Sequence, residues 1–238
     1  VLSRANMMLI RTSADLLQAE SQGKIGAILS LEGVEGLQGS LQYVRQAYDL
    51  GVRCLGLTWN YANWAADGVL EQRKAGLTQK GKELIKLCNE LGMVIDISHL
   101  NEPGFWEVME RSEAPVIASH SNSFAIQSHP RNLNDDQIQA LIQKQGRIGL
   151  TFVPDFIGGE QKIQDIMKHL DHICSLGGEH AVGFGSDFDG IDEHVNGLAN
   201  PAEYVQLVDT LLNHYSGEQT ENFMYNNWRR FFLQHLPK

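Results

Sequence analysis

Two short apolar runs each close on Ser-His: Met93-Val94-Ile95-Asp96-Ile97-Ser98-His99 and Pro115-Val116-Ile117-Ala118-Ser119-His120. Each reads as a buried β-strand that carries an imidazole to its C-terminal end, where α/β folds place their chemistry. Other apolar runs end on acids, Leu29-Ser30-Leu31-Glu32 and Gly185-Ser186-Asp187, and the run over 53–60 ends on Thr58, Trp59 and Asn60. Glu, His, His and Asp are hard-to-borderline ligands suited to Zn²⁺ and similar divalent ions. Three protein ligands with one open position would make a catalytic site. A metal there lowers the pKa of bound water towards neutrality, and a nearby carboxylate can take the proton.

Taken singly, these residues have plainer readings. His99 or His120 can be a hydrogen-bonded core histidine, and Glu32 a solvated loop acid beside Gly33. Asp187 and Asp189 can form an Asx turn with Gly190. Arg131 can be a surface arginine, although positive charge near a helix start opposes the dipole there. His169 and His172 sit three apart and could mimic a metal pair, but a solvated helix face explains them as well. Trp59, Tyr61 and Trp64 either line a pocket or pack a rim, and Glu35 reads as surface. Asp96, inside an apolar strand, needs a hydrogen-bond partner.

The elements that must position these residues alternate. Leu50-Gly51, Leu91-Gly92, Gln145-Gly146 and Leu176-Gly177-Gly178 each close a helical stretch just before an apolar run. Glycine takes the left-handed position after a helix cheaply, so these are helix stops. Ser40, Thr78 and Asn101 stand at helix starts, and Asn134-Asp135-Asp136-Gln137 has the form of a capping box. Ile163, Ile166, Met167, Leu170 and Ile173 make one helical stripe. Six strands are expected, over 25–32, 53–60, 93–100, 115–121, 147–154 and 181–188. Strands alternating with helices imply parallel βαβ units, and near-continuous apolar runs imply strands covered on both faces. Residues 13–22 read as one helix, Met7–Ile10 at most as a short strand, and 201–236 as a helical region. A (β/α)₈ barrel needs eight such units. The economical readings are a barrel missing its first units or an open six-stranded sheet, in one domain over 1–238.

Bulk properties narrow the class. The chain has 238 residues and a net charge of −10, which argues against a general nucleic-acid or anionic-membrane surface. Three scattered cysteines, Cys54, Cys88 and Cys174, argue against a disulfide framework and for a reducing, cytoplasmic compartment. No apolar run approaches the ~20 residues that span a bilayer. The chain opens on Val1, so its start reads as a processing or cloning boundary and says nothing about a signal peptide.

The segments Leu-Ser-Leu-Glu-Gly (29–33), Leu-Gly-Val-Arg-Cys-Leu-Gly-Leu-Thr (50–58), Ile-Asp-Ile-Ser-His (95–99), Ala-Pro-Val-Ile-Ala-Ser-His-Ser (114–121), Pro-Arg-Asn-Leu-Asn-Asp-Asp (130–136) and Val-Gly-Phe-Gly-Ser-Asp-Phe-Asp-Gly (182–190) resemble the renal (membrane) dipeptidase family of zinc metallopeptidases. The match is ordered and runs through nearly the whole chain. The resemblance implies a (β/α)₈ barrel of amidohydrolase type with a binuclear zinc centre, and dipeptide substrates. It makes Glu32 the bridging carboxylate, His99 and His120 ligands of the second metal, and Asp187 the proton shuttle. Arg131 would bind the dipeptide carboxylate, a pairing that a guanidinium fork suits.

Two departures stand out. No His-x-Asp pair precedes residue 24, so the ligands of the first metal are absent here, and at most one weakly held zinc, with low or no activity, is expected in this chain. Trp59 stands where the family often has a histidine, leaving Asn60 as a candidate oxyanion donor and Trp59 as a candidate substrate contact. The expected partner is a dipeptide, with no nucleic acid or membrane and with a homodimer allowed. A deacylase or lactonase on the same scaffold, or a non-catalytic homologue, are the alternatives.

Overall fold

A computed structural model describes residues 6–238. The chain divides into two compact units, the first comprising the chain up to Val116 with Arg230–Lys238, the second Ile117–Arg229. The fold is α/β, with parallel strands and intervening helices.

The first unit holds β1 (Met7–Leu9), α1 (Ser13–Ser21), β2 (Ile25–Ala27), β3 (Leu29–Glu32), α2 (Leu41–Asp49), β4 (Val52–Gly56), α3 (Gln79–Leu91), β5 (Val94–Asp96) and α4 (Glu102–Arg111). The strand expected over 25–32 is two strands. Ile28 interrupts it, so that β2 pairs with β1 and β3 pairs with β4, with a register irregularity between Leu29 and Ser30. Glu32 is level with Gly56, and Gly56 with Asp96. This row brings three strand ends to one rim. Leu55, Leu84, Ile85, Ile95, Phe105 and Val108 are buried beneath it, each such side chain contributing roughly 1.5–3 kcal/mol by leaving water.

The second unit holds β6 (Ile117–Ala118), α5 (Asp135–Gln143), β7 (Arg147–Leu150), α6 (Pro154–Ile157), α7 (Ile163–Ser175), β8 (Val182–Phe184), α8 (Tyr204–Leu212) and α9 (Gly217–Glu221). A π-helical turn over 222–226 leads into α10 (Asn227–His235), within which the chain returns to the first unit. β7 pairs in parallel with β6 and with β8. The apolar stripe of α7, from Ile163 to Ile173, is buried as its spacing implies.

The capping signals hold. Ser40, Thr78 and Asn101 each accept a backbone N–H three residues on, and Asn134 with Gln137 completes a capping box; each cap contributes about 1 kcal/mol. Of the expected glycine stops, Gly51, Gly92 and Gly177 take the left-handed conformation, but after α5 it is Gln145 (φ 59°) rather than Gly146 that does so. The strands are shorter than expected because polar turns end the ladders early. Asp96 Oδ1 accepts the Ser98 N–H at 3.0 Å and turns the chain out of β5, and Pro154 opens α6 four residues after β7.

Candidate functional site

In the first unit, Glu32 ends β3 and His99 lies three residues past β5. His99 is 7% exposed and sits at φ 70°, a left-handed backbone that costs a non-glycine residue roughly 1–3 kcal/mol. Its carbonyl accepts the Val69 N–H at 2.7 Å, which holds that backbone in place. The ring is gripped at both nitrogens. Nε2 lies 2.9 Å from Glu32 Oε1, and Nδ1 lies 2.8 Å from Asn60 Oδ1. The Glu32 side chain is about half exposed, so the pair opens to the rim.

Asn60 belongs to a loop over 57–78 that carries the aromatic residues. Trp59 is 50% exposed, with its ring centroid 6.0 Å from that of His99 and 6.4 Å from that of Tyr61. Trp64 packs instead, its Nε1–H donating to the Val34 carbonyl at 2.6 Å. Asp67 anchors the loop. It is fully buried, accepts the Ala75 N–H at 2.9 Å, and is forked by the Arg73 guanidinium. That hydrogen-bonded cation holds the Asp67 carboxyl below the usual carboxylate range. Gly68 lets the loop close, because a Cβ there would collide with the Trp59 carbonyl and the Asn60 backbone.

In the second unit, His120 follows β6. Its Nδ1 lies 2.7 Å from the Ser119 hydroxyl, and its carbonyl accepts from Arg131 Nη2 at 3.3 Å. Side chains on Gly149 or Gly185 would strike the Ser119 carbonyl, so these two glycines let the Ser-His turn sit close against β7 and the end of β8. Arg131 is 5% exposed, with its guanidinium 5.4 Å over the Phe156 ring. His129 stacks on Phe156 at 4.3 Å and accepts the Arg131 N–H at 3.2 Å. Burial, helped by the Arg131 charge, pushes the His129 pKa down. Asp187 sits at φ 61° just past β8 and immediately precedes a single 3₁₀ turn, while Asp189 within that turn is exposed. Six non-glycine residues among those described have positive φ, and two of them are His99 and Asp187. Strained backbone gathers at functional sites.

The family model for membrane dipeptidases, peptidase family M19, matches residues 1–235. The chain belongs to this family. An uncharacterized protein from the pqqA 5′ region of Klebsiella pneumoniae is 32% identical over 244 residues, covering 96% of this chain and 89% of that protein. A metallopeptidase from Rhodobacter sphaeroides, solved with a phosphinate mimic of the dipeptide L-Ala-D-Ala, aligns with a TM-score of 0.91 at 30% identity, covering 98% of this chain and 70% of that one. A dipeptidase described as a metallopeptidase of family M19 gives 0.92 at 29% identity, over 99% of this chain and 73% of its own. The general activity of the family is that of a metallodipeptidase, a hydrolase that uses metal.

The donor set around His99 suits a dipeptidase metal ligand. A neutral imidazole has one N–H, yet both ring nitrogens of His99 face side-chain oxygens. A neutral ring can therefore donate to only one of the two oxygens, the Asn60 amide or the Glu32 carboxylate. The nitrogen that does not donate keeps a lone pair, and a lone pair beside a carboxylate suits a divalent cation. Among the described residues no helix is long and apolar enough to cross a membrane.

Other readings resolve differently. His169 is no ligand partner of His172. It is fully buried, with Nδ1 accepting the Ser123 N–H at 3.1 Å and Nε2 lying 3.0 Å from the Ile157 carbonyl, while His172 pairs with Asp135 at 2.8 Å. The solvated helix face expected for both therefore fails at His169. Cys54 and Cys88 are buried; burial raises both thiols, Cys88 to about 12, so both stay protonated and inert at neutral pH. Sequence reasoning missed Ser119, Asp67 and Gly68. Ser119 was legible as the residue before His120. Asp67-Gly68 in a polar loop gave no signal of its contacts with Arg73 and Asn60.

Proposed function

We propose that this chain hydrolyses the peptide bond of dipeptides with a metal-activated water. The observation that carries the reading is the His99–Glu32 pair at 2.9 Å, with the ring's other nitrogen on Asn60. Family membership supports the reaction class. Glu32, His99 and His120 are the proposed ligands of one divalent cation, taken as zinc. Each stands at or just beyond the C-terminal end of a parallel strand. The cation, when bound, lowers the pKa of water and polarises the scissile carbonyl.

The other roles belong to the chain. Arg131 binds the free carboxylate of the dipeptide; its buried guanidinium, braced on Phe156, is held ready for a bidentate contact. Asp187 accepts the proton of the attacking water and returns it to the nitrogen as the C–N bond breaks, giving two amino acids. Trp59 offers an exposed aromatic surface to a substrate side chain. The dipeptide mimic held by the Rhodobacter relative makes L-Ala-D-Ala a first substrate to test. Purified chain is incubated with a panel of dipeptides, with and without a chelator. Slow release of free amino acids that the chelator stops and zinc restores is expected. Turnover that survives exhaustive chelation would refute the reading.

A further inference from the structure

We infer that Asn60 is a positioning residue that fixes the tautomer of His99. Its Oδ1 holds the imidazole proton on Nδ1 and so turns Nε2, as a lone pair, to the cation. This rests on reading Glu32 and His99 as metal ligands. It assigns Asn60 a different task from donating to a tetrahedral oxyanion.

The placement of Asn60 is built in. Its carbonyl accepts the Leu70 N–H at 2.9 Å, and the Gly68 N–H reaches the Tyr61 carbonyl at 3.2 Å, so both flanks of the residue are pinned. Gly68 also bridges to Leu100, the residue after His99. The loop and the His99 turn are thus joined by backbone on one side and by the Asn60–His99 contact on the other. An unconstrained imidazole exchanges its proton freely between two nitrogens. An amide oxygen 2.8 Å from Nδ1 accepts hydrogen there, so with a cation between Nε2 and the Glu32 carboxylate it favours the ring form that carries its one hydrogen on Nδ1. Partners of this kind on the far nitrogen typically alter metal affinity 10- to 100-fold. In the second unit the Ser119 hydroxyl occupies the same station at His120 Nδ1.

The two roles of Asn60 separate by chemistry. Asn60→Asp keeps an accepting oxygen and removes the N–H₂ donor, whereas Asn60→Ala removes both. The test uses the whole chain labelled with ¹⁵N-histidine and stripped of metal, observed by long-range ¹H–¹⁵N spectroscopy, with zinc affinity measured on the same samples. Expected are Nδ1–H on His99 in the unsubstituted chain, loss of that preference in Asn60→Ala, and its return in Asn60→Asp. Zinc affinity should fall about 10- to 100-fold in Asn60→Ala and largely recover in Asn60→Asp. A His99 Nδ1 without hydrogen in the unsubstituted chain would overturn the inference, even if Asn60→Ala does not fold. So would unchanged zinc affinity in Asn60→Ala. An unsubstituted chain with Nδ1–H but no zinc affinity would overturn the metal reading instead.

Discussion

Gly68 and Asn60 are in such close apposition that a single methyl group on Gly68 would occupy the space of the Asn60 backbone. The glycine is therefore a packing requirement of the rim, and the rim's order depends on it. Overpacking against backbone cannot be relieved by a rotamer change. Gly68→Ala is expected to lower stability by about 1–3 kcal/mol and to weaken zinc binding by shifting Asn60 off His99. Urea denaturation and a zinc titration read the two effects. Unchanged values in both would show that the loop does not support His99.

Arg131 gives a prediction about substrate rather than metal. Hydrogen bonds to charged groups are worth about 1.5–3 kcal/mol. Arg131→Met should therefore lower kcat/KM for free dipeptides roughly 10- to 100-fold. C-terminally amidated dipeptides, which lack the carboxylate, should lose little. Equal losses on both substrates would refute the carboxylate contact.

His169 sets a pH dependence of stability. Burial holds its pKa below the ordinary imidazole value, so the unfolded chain takes up a proton where the folded chain does not. The stabilisation is complete above about pH 6.5, the unfolded value, and is lost as pH falls through that value towards the folded one. His129, depressed in the same direction, acts with the same sign. Asp67 acts in a separate, more acidic window, because its carboxyl is held low by Arg73. Denaturation midpoints between about pH 7.5 and 5.5 should fall in the native chain. They should fall less in His169→Gln. An equal fall in both chains would place the dependence elsewhere.

Much of this was legible in the sequence because it is local. Helix caps at Ser40, Thr78, Asn101 and Asn134 are set by side chains three residues from their partners, and the stripe on α7 by a single helix. The Ser-His strand ends were visible for the same reason. What escaped depends on contacts distant in sequence. The break at Ile28 follows from β2 and β3 having different partners. The turn that puts His99 into left-handed backbone needs Val69, thirty residues earlier, to hold its carbonyl. His169 reads as a surface residue from helical spacing, since its burial comes from Ser123 and Ile157 rather than from α7 itself.

The most direct test is zinc stoichiometry and affinity, measured calorimetrically on the metal-stripped chain and on His99→Gln. His99 is where the carboxylate, the tautomer-fixing amide and the strained backbone meet. One zinc ion per chain is expected, with binding abolished or greatly weakened in His99→Gln while the fold, followed by circular dichroism, persists. Absence of zinc binding in the native chain, or equal binding in His99→Gln, would contradict the assignment of this site.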